Sequence, residues 1–501
     1  MANNHVDAKA LRTAKALKNS DNWKHLARWN GEGYYELHTE DIGDVPVRLF
    51  LTPTLLADAE DILYRQIVNA TRFPGVKLVV ITPDTHYGYG VPVGCVLITD
   101  ADNGAIAMGP VGYDIGCGMM SARSTVAASA AIPEKRLEFN RAVMDRVAMG
   151  AGGKSHRFSE LSKSEFNNLV RGGAEYYVEK YGAAFDRSHA ERHRIPVDDD
   201  WDIPWGNKGR PERGLQQLGS LGGGNHFIEL QRAEETGTLF VQVHTGSRGF
   251  GHGLATNYFE LAREERPDEI RDIDLGYFTP ESLHYRDYLN AVAAGGNYAI
   301  LNRLIIFEQV SAAFKEVFGQ ELELVYEISH NLVQREINPE LGEVWVHRKG
   351  ATRAFPAGHP ALAGTMWEQT GHPVLIPGSN KDYSYILRPL AGAAKSGYSV
   401  NHGAGRRLSR GEANRTLSQR AIDDEYKAAG ILVNIDGRVP LDEAAPAYKS
   451  SEEVVRAVVE ANLAEIQFTL WPLASLKGTD DRPRGRAGRG KGKGKKTSKH
   501  F

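Results

Sequence analysis

Cysteine is nearly absent. Only Cys95 and Cys117 occur in 501 residues, too few for a disulfide framework, and a reducing cytoplasm is the expected compartment. Long apolar runs are missing as well: no stretch reaches the roughly 18 apolar residues of a membrane span. The opening MANNHVDAKALRTAKALK has no apolar core of a secretory signal. Neither a membrane nor a secretory role is expected. No Pro/Ser-rich linker divides the chain, so one large domain with insertions is expected. No GxxxxGK[ST] motif occurs, which excludes a P-loop.

Net charge is also low, at −3, but it is unevenly placed. Thr479–Phe501 holds nine Lys and Arg against Asp480 and Asp481, which leaves the preceding body acidic by about ten charges. This tail cannot build a core and is expected to be disordered. It serves either solubility or salt-sensitive phosphate contact. What the chain has in excess is glycine, with 53 residues, roughly 11% against a usual ~7%. Many of these fall in clusters beside His, Asn, Ser or Arg, which is the composition of sites rather than linkers.

The richest cluster is Gly109–Arg123, GPVGYDIGCGMMSAR. Asp114 and Cys117 stand three residues apart on backbone able to fold around something small. A carboxylate and a thiolate suit a divalent cation, and a thiolate can bridge two. A buried free cysteine beside a turn-capping Asp is the plainer reading. The rest of the chain adds histidines. Four short apolar strands each meet one beside Gly, Ser, Thr or Asn: His226, His244, His330 and His402. Any one of these is more often structural. Strand ends of a compact α/β fold converge, however, so three of them with Asp114 and Cys117 can cage two cations suited to phosphoryl chemistry.

Basic turns surround these positions: GSRGFGHG with Arg248, RKGATR with Arg348, Lys349 and Arg353, and GAGRRLSR with Arg406 and Arg410. Guanidinium forks and exposed N–H groups bind phosphate oxygens. PDTHYGYGVPVG, after the strand Lys77–Thr82, adds Asp84 and His86. The histidines of HAERH, His189 and His193, have a zinc-compatible spacing but read as a solvated helix end. The spacing predicts helices over Leu55–Ala70, much of Ile132–Tyr181 and Tyr288–Phe318, the last as packing scaffold. It predicts a polar helix within residues 1–45, followed by a turn at Gly31–Gly33. The fold class expected is α/β (α+β), a single large domain with mixed sheets, peripheral helices and a dinuclear site at strand ends.

In order, PDTHYGYGVPVG, GYDIGCG, GGGNHF, VHTGSRGFGH, ISHN, VHRKGATRAFP, VLIPGS and HGAGRRLSR resemble the motifs of the RNA-splicing ligase RtcB family, over roughly Phe50 to Gly478. The resemblance implies a ligase domain over residues 46–478 with a helical insertion at about 132–214, between an extension (1–45) and the tail (479–501). It implies a GTP- and manganese-dependent enzyme joining RNA 3′-phosphate or 2′,3′-cyclic phosphate ends to 5′-hydroxyl ends, in tRNA splicing or repair. His402 would take GMP from GTP, and Asp84 is placed to orient it. Asp114, Cys117 and His226 would hold one Mn2+; Cys117, His244 and His330 would hold the other. Asn225, Glu229, Pro377, Gly378, Ser379, Ser384, His402, Gly403, Ala404, Gly405 and Lys477 would surround the nucleotide, with Glu229 and Lys477 on the guanine edge. Arg248, Lys349 and Arg410 would take RNA phosphates, and an archease-like activator is a possible partner.

Three departures stand out. Gly116 precedes the metal cysteine where the family pattern has Asn, Thr85 and Tyr87 replace the Val and Gln of PDVHQGYG, and Asn380, Lys381 and Asp382 replace the middle of PGSMGTASY. The last change puts charge near the expected nucleotide and bears on GTP preference. Two other readings remain at this level: a cyclic phosphodiesterase or 3′-end nucleotidyltransferase that does not seal, and an RNA- or ribosome-binding protein.

Overall fold

The computed structural model describes residues 17–159, 161–182 and 194–478. His189, His193 and the basic tail lie outside them. Fifteen strands form one mixed sheet: β1 (Ala27–Trp29), β2 (Tyr35–Leu37), β3 (Val47–Leu49), β4 (Val76–His86), β5 (Val93–Asp100), β6 (Gly118–Ala127), β7 (Phe227–Ala233), β8 (Thr238–Thr245), β9 (Glu323–Asn338), β10 (Gly342–Arg353), β11 (Val374–Ile376), β12 (Ser384–Pro389), β13 (Ser399–Asn401), β14 (Leu432–Val433) and β15 (Ala464–Lys477). The order is β1-β2-β3-β4-β5-β10-β9-β6-β8-β7-β15-β12-β11, with β13 beside β10 and β14 beside β15. Within this sheet, among the described residues, only β3/β4 and β14/β15 are parallel.

Alternation along the strands buries both faces of the sheet. On β4 and β5, Val79, Ile81, Cys95 and Leu97 enter one core, while Leu78, Val80, Val96 and Ile98 enter another. Two-sided burial explains why these strands read as continuous apolar runs. The first core is shared with α1 (Leu63–Ala70), α2 (Pro133–Met144), α3 (Lys163–Tyr181), α4 (Arg248–Glu265) and α5 (Tyr285–Phe318). Pro133 opens α2 at a position whose N–H needs no partner. Ser162 caps α3, accepting from Glu165 N at 3.1 Å. Helix α5 ends where Gly319 turns left-handed, at φ 77°. These elements meet the expected fold class, and none of the described helices is long and apolar enough to cross a membrane.

β9 joins the two halves of the sheet. Its first half, Glu323–Ser329, pairs with β6, and its second half, from His330, pairs with β10. The change of partner occurs at His330–Asn331, where Asn331 takes a left-handed φ of 56°. His330 was expected at a strand end and instead sits mid-strand at this switch.

Other local expectations change for physical reasons. Described residues 17–45 are helical only at Trp23–Leu26; β1 and β2 then pair across the Gly31–Gly33 turn, with Asn30 Oδ1 accepting from Glu32 N at 2.9 Å. Trp29 and Tyr35 pack edge to face across that hairpin, a pairing that favours strands over a polar helix. RKGATR is not a turn but the end of β10, extended by pairing with β13. GSRGFGHG leads into α4 rather than ending in a loop. Leu55–Ala70 divides into Pro53–Asp58 and α1.

Candidate functional site

The site forms where the two halves of the sheet meet. Cys117 directly precedes β6, His226 directly precedes β7, His244 lies near the end of β8, and His330 stands at the β9 switch. Two triads result, Asp114–Cys117–His226 and Cys117–His244–His330, in each of which the donor atoms lie within 4.8 Å of one another. Cys117 belongs to both. Its Sγ is 3.5 Å from His226 Nε2 and 3.3 Å from His244 Nε2. His244 and His330 place their Nε2 atoms 3.3 Å apart, and Asp114 Oδ2 is 3.1 Å from His226 Nε2.

Tautomers follow from the backbone. His226 Nδ1 is 3.0 Å from Leu221 O and His244 Nδ1 is 3.2 Å from Asn225 O. A carbonyl can only accept, so each Nδ1 carries a proton, and with a cation bound each Nε2 would turn its lone pair to the cluster. Burial, with the neighbouring imidazoles, holds His244 and His330 neutral, their pKa values well below the ordinary histidine range. His330 Nδ1 is buried with no hydrogen-bond partner among the described residues. Burial and the Asp114 carboxylate push the Cys117 thiol up; a cation would reverse this and bind the thiolate. For Asp114, burial acts to raise the pKa, but the His226 contact and Arg248 prevail and hold it below the usual range. Converging lone pairs, an unpartnered ring nitrogen and a sulfur common to both triads fit two divalent cations of borderline softness.

Helix α5 fixes this arrangement. Arg303 is wholly buried and paired with buried Glu327. Its guanidinium donates to Gly116 O (2.8 Å), Thr245 O (3.0 Å) and Ser329 Oγ (2.5 Å), each next to a candidate ligand on a different segment of the chain. Asn302 beside it donates to Ser220 O and Gly246 O. The apolar helix expected as scaffold therefore also registers three ligand-bearing segments. Gly116 has φ 71°, and a Cβ there would lie 2.8 Å from Gly296 Cα of α5, so glycine permits the close approach. At Gly246 a Cβ would fall 2.3 Å from Asp114 Oδ1.

His402 follows β13 and lies against the cluster, its ring centroid 4.6 Å from that of His330. Its Nδ1 is 2.7 Å from Oδ2 of fully buried Asp84. Asp84 also accepts from Thr82 Oγ1 (2.6 Å) and from the His402 N–H (3.3 Å). With Nδ1–H donated, Nε2 keeps its lone pair. A cavity of about 420 Å³ is lined by His402, Asp114, Cys117, His244 and His330 at one end, and by Asn225, Pro377, Gly378, Ser379, Gly403, Ala404, Gly405 and Lys477 elsewhere.

Glu229 and Ser384 are buried behind that wall. Ser384 Oγ accepts from Gly378 N at 3.1 Å and so pins the 377–379 turn. Glu229 accepts from Gln231 Nε2 at 2.8 Å, and burial raises its pKa to about 7 against the opposing pull of Gln231 and Lys477.

Lys349, Arg410, Arg248 and Arg348 are each engaged by partners within the fold. Lys349 lines the cavity but donates to Tyr89 O and Val91 O, and burial lowers its pKa to about 8. Arg410 bridges Asp442 (3.0 Å) and Glu443 (2.9 Å). Arg248 donates to Gly150 O, Ala151 O and Ser220 Oγ. Arg348 points into the core, paired with Glu336, and offers no phosphate contact. The departures at 380–382 are likewise absorbed: Lys381 pairs with Glu425, Asp382 Oδ2 accepts from Ser451 N at 2.8 Å, and Asn380 Oδ1 accepts from Tyr426 OH. The charge expected beside the pocket is spent on the protein itself.

Sequence reasoning missed Glu443 and Tyr448. Buried Glu443 gathers Lys477, Arg406 and Arg410, and Tyr448 lines the cavity under Arg406. LDEAAPAYK offers no spacing that marks either residue.

Comparison with known proteins places the chain among named relatives. The family model described as tRNA-splicing ligase RtcB matches residues 66–478. The tRNA-splicing ligase RtcB of Pyrobaculum aerophilum is 35% identical over 87% of this chain and 95% of its own length. That of Nanoarchaeum equitans is 34% identical over 89% and 98%, and the RNA-splicing ligase RtcB of Mycobacterium bovis is 35% identical over 82% and 100%.

Proposed function

The chain belongs to the RtcB family of tRNA-splicing ligases, and on that premise we propose that it is a cytoplasmic RNA ligase that uses GTP to join 3′-phosphate or 2′,3′-cyclic phosphate ends to 5′-hydroxyl ends, in tRNA splicing or RNA repair. The observation that carries this reading is the placing of His402, with Nδ1 tied to Asp84 and its ring against the Cys117 cluster, facing a cavity large enough for a nucleotide.

His402 Nε2 attacks the α-phosphorus of GTP; a P–N bond forms and pyrophosphate leaves. Asp84 holds the Nδ1 proton and stabilises the positive charge that develops on the ring. An oxygen of the RNA 3′-phosphate then attacks the same phosphorus, the P–N bond breaks, and the end carries GMP. Attack by the 5′-hydroxyl on the RNA phosphorus expels GMP, a far better leaving group than hydroxide, and closes the phosphodiester. A cyclic phosphate must first be opened by water. Two divalent cations held by Asp114, Cys117, His226, His244 and His330, which we take as Mn2+, would offset phosphate charge and polarise phosphorus. Asn225 and the 377–379 and 403–405 turns line the nucleotide's place, with Lys477 and Glu229 toward the base. Lys349, Arg410 and Arg248 would exchange their present partners for RNA phosphates.

Incubation with Mn2+ and α-labelled GTP should give an acid-labile, alkali-stable adduct, absent from His402→Ala, and the wild type should seal matched ends. An adduct persisting in His402→Ala would overturn the assignment. End-capping without sealing would favour a nucleotidyltransferase instead.

A further inference from the structure

Two large rings stand in water at the mouth of this cavity. Tyr87 is 53% exposed and Tyr89 is 67% exposed, yet both line the cavity that holds His402 and the Cys117 cluster. Side chains beneath the loop hold its backbone. Gln66 of α1 closes a two-way pair with Gly88, accepting from its N–H (3.0 Å) and donating to its carbonyl (2.5 Å). One turn along the same helix, Asn69 Nδ2 donates to Gly90 O at 2.7 Å. Glu60 accepts from Tyr87 N at 3.1 Å, and Lys349 Nζ donates to Tyr89 O at 2.6 Å. The Tyr89 ring meets Tyr113 edge to face at 6.1 Å, and Tyr113 is anchored through its hydroxyl to Asp274.

A fixed backbone that presents solvated aromatic faces is a pre-organised surface, since little ordering remains to be done on binding. Its position determines the occupant. Anything stacked on these rings is continuous with the reacting centre, and the cavity beyond carries Lys349, Arg406, Arg410 and Lys477, the environment of a polyanion. Unpaired bases near an RNA end have free π-faces, and aromatic stacking is the usual way to hold them without reading sequence. Tyr87 is also where this chain departs from the Gln of the family pattern.

We propose that Tyr87 and Tyr89 form a stacking platform for the unpaired bases bordering the RNA end to be joined, so that the cavity takes a single-stranded terminus. The inference rests on the RNA-joining reading. It assigns the rings to RNA capture and gives them no part in the reaction of His402 with GTP.

The test uses the full chain. Tyr87→Ala and Tyr89→Ala should each raise KM for single-stranded RNA ends roughly 5- to 150-fold, the range expected for one lost base–aromatic stack, while adduct formation from GTP keeps its wild-type rate. Tyr→Phe at either position should restore KM. An abasic nucleotide near the end should raise KM in the wild type and add little in the alanine variant that lacks its ring. Sealing with unchanged KM in both alanine variants would overturn the inference and leave the ligase reading intact. Binding of RNA carrying 2-aminopurine near its end gives a readout that does not depend on sealing. Ring-dependent quenching without any sealing would sink the ligase reading alone, and quenching indifferent to both rings would sink the platform.

Discussion

The cation cluster and His402 touch through the rings of His330 and His402, yet the two regions hold their imidazoles by different means. In the cluster, His226 and His244 donate Nδ1–H to main-chain carbonyls. A carbonyl orients the ring without supplying charge, so with a cation bound the ring would serve as a neutral ligand through Nε2. His402 gives Nδ1 to the buried carboxylate of Asp84, itself held by Thr82. A carboxylate steadies the positive charge a ring acquires when its Nε2 attacks. Within one small volume, the partner of Nδ1 separates imidazoles suited to hold a cation from the one suited to carry a nucleotide.

Cys117→Ser gives the largest expected effect, because both triads lose their common sulfur. Cation binding followed by calorimetry should fall from two ions per chain to none at micromolar concentration, and adduct formation should vanish with it. Retention of two ions would mean that the sulfur is dispensable and the two-site geometry misread. Asp84→Asn attacks the other side of the comparison. The amide keeps the shape but can present N–H to Nδ1, so the tautomer reverses. Adduct formation should slow on the order of 10²–10⁴-fold while both cations still bind. If Asp84→Asn also lost the cations, the division between the two regions would collapse.

How far these regions could be read in the sequence follows the same division. Asp114, Cys117 and the four histidines were legible because ligand chemistry concentrates in residue types beside glycine, whatever the surrounding strand does. Their framework was not. His330 looked like the end of one strand because ISHN interrupts an apolar run, whereas β9 continues and exchanges partners there. That exchange depends on β6, far away in the chain, as well as on β10, the strand that follows. Arg303 and Asn302 were invisible as site residues because they sit in a helix whose pattern reads as packing; only tertiary structure reveals that a buried guanidinium binds three ligand-bearing segments. Charged turns misled in the opposite direction. Arg348, Lys381 and Asp382 have charges that find partners within the fold, and local sequence does not announce the partner.

Glu229 gives the smallest expected effect and the finest distinction, since it lies behind the cavity wall and belongs to neither imidazole group. Burial lifts its pKa from 4.5 to about 7, so between these values the folded chain keeps a proton that the unfolded chain has released. Its contribution to stability is complete below pH 4.5 and is lost as pH rises through about 7. A guanine edge demands the opposite form, because its N–H donors need an ionised acceptor. If Glu229 meets the base, GTP affinity should climb with pH, by up to about tenfold per unit, and level off above about 7. Glu229→Gln should flatten both slopes. Calorimetric titration of GTP at several pH values, beside denaturant melts of the same samples, separates the two roles: a flattened stability slope with an unchanged affinity slope would make Glu229 a purely structural acid and leave guanine recognition to Lys477.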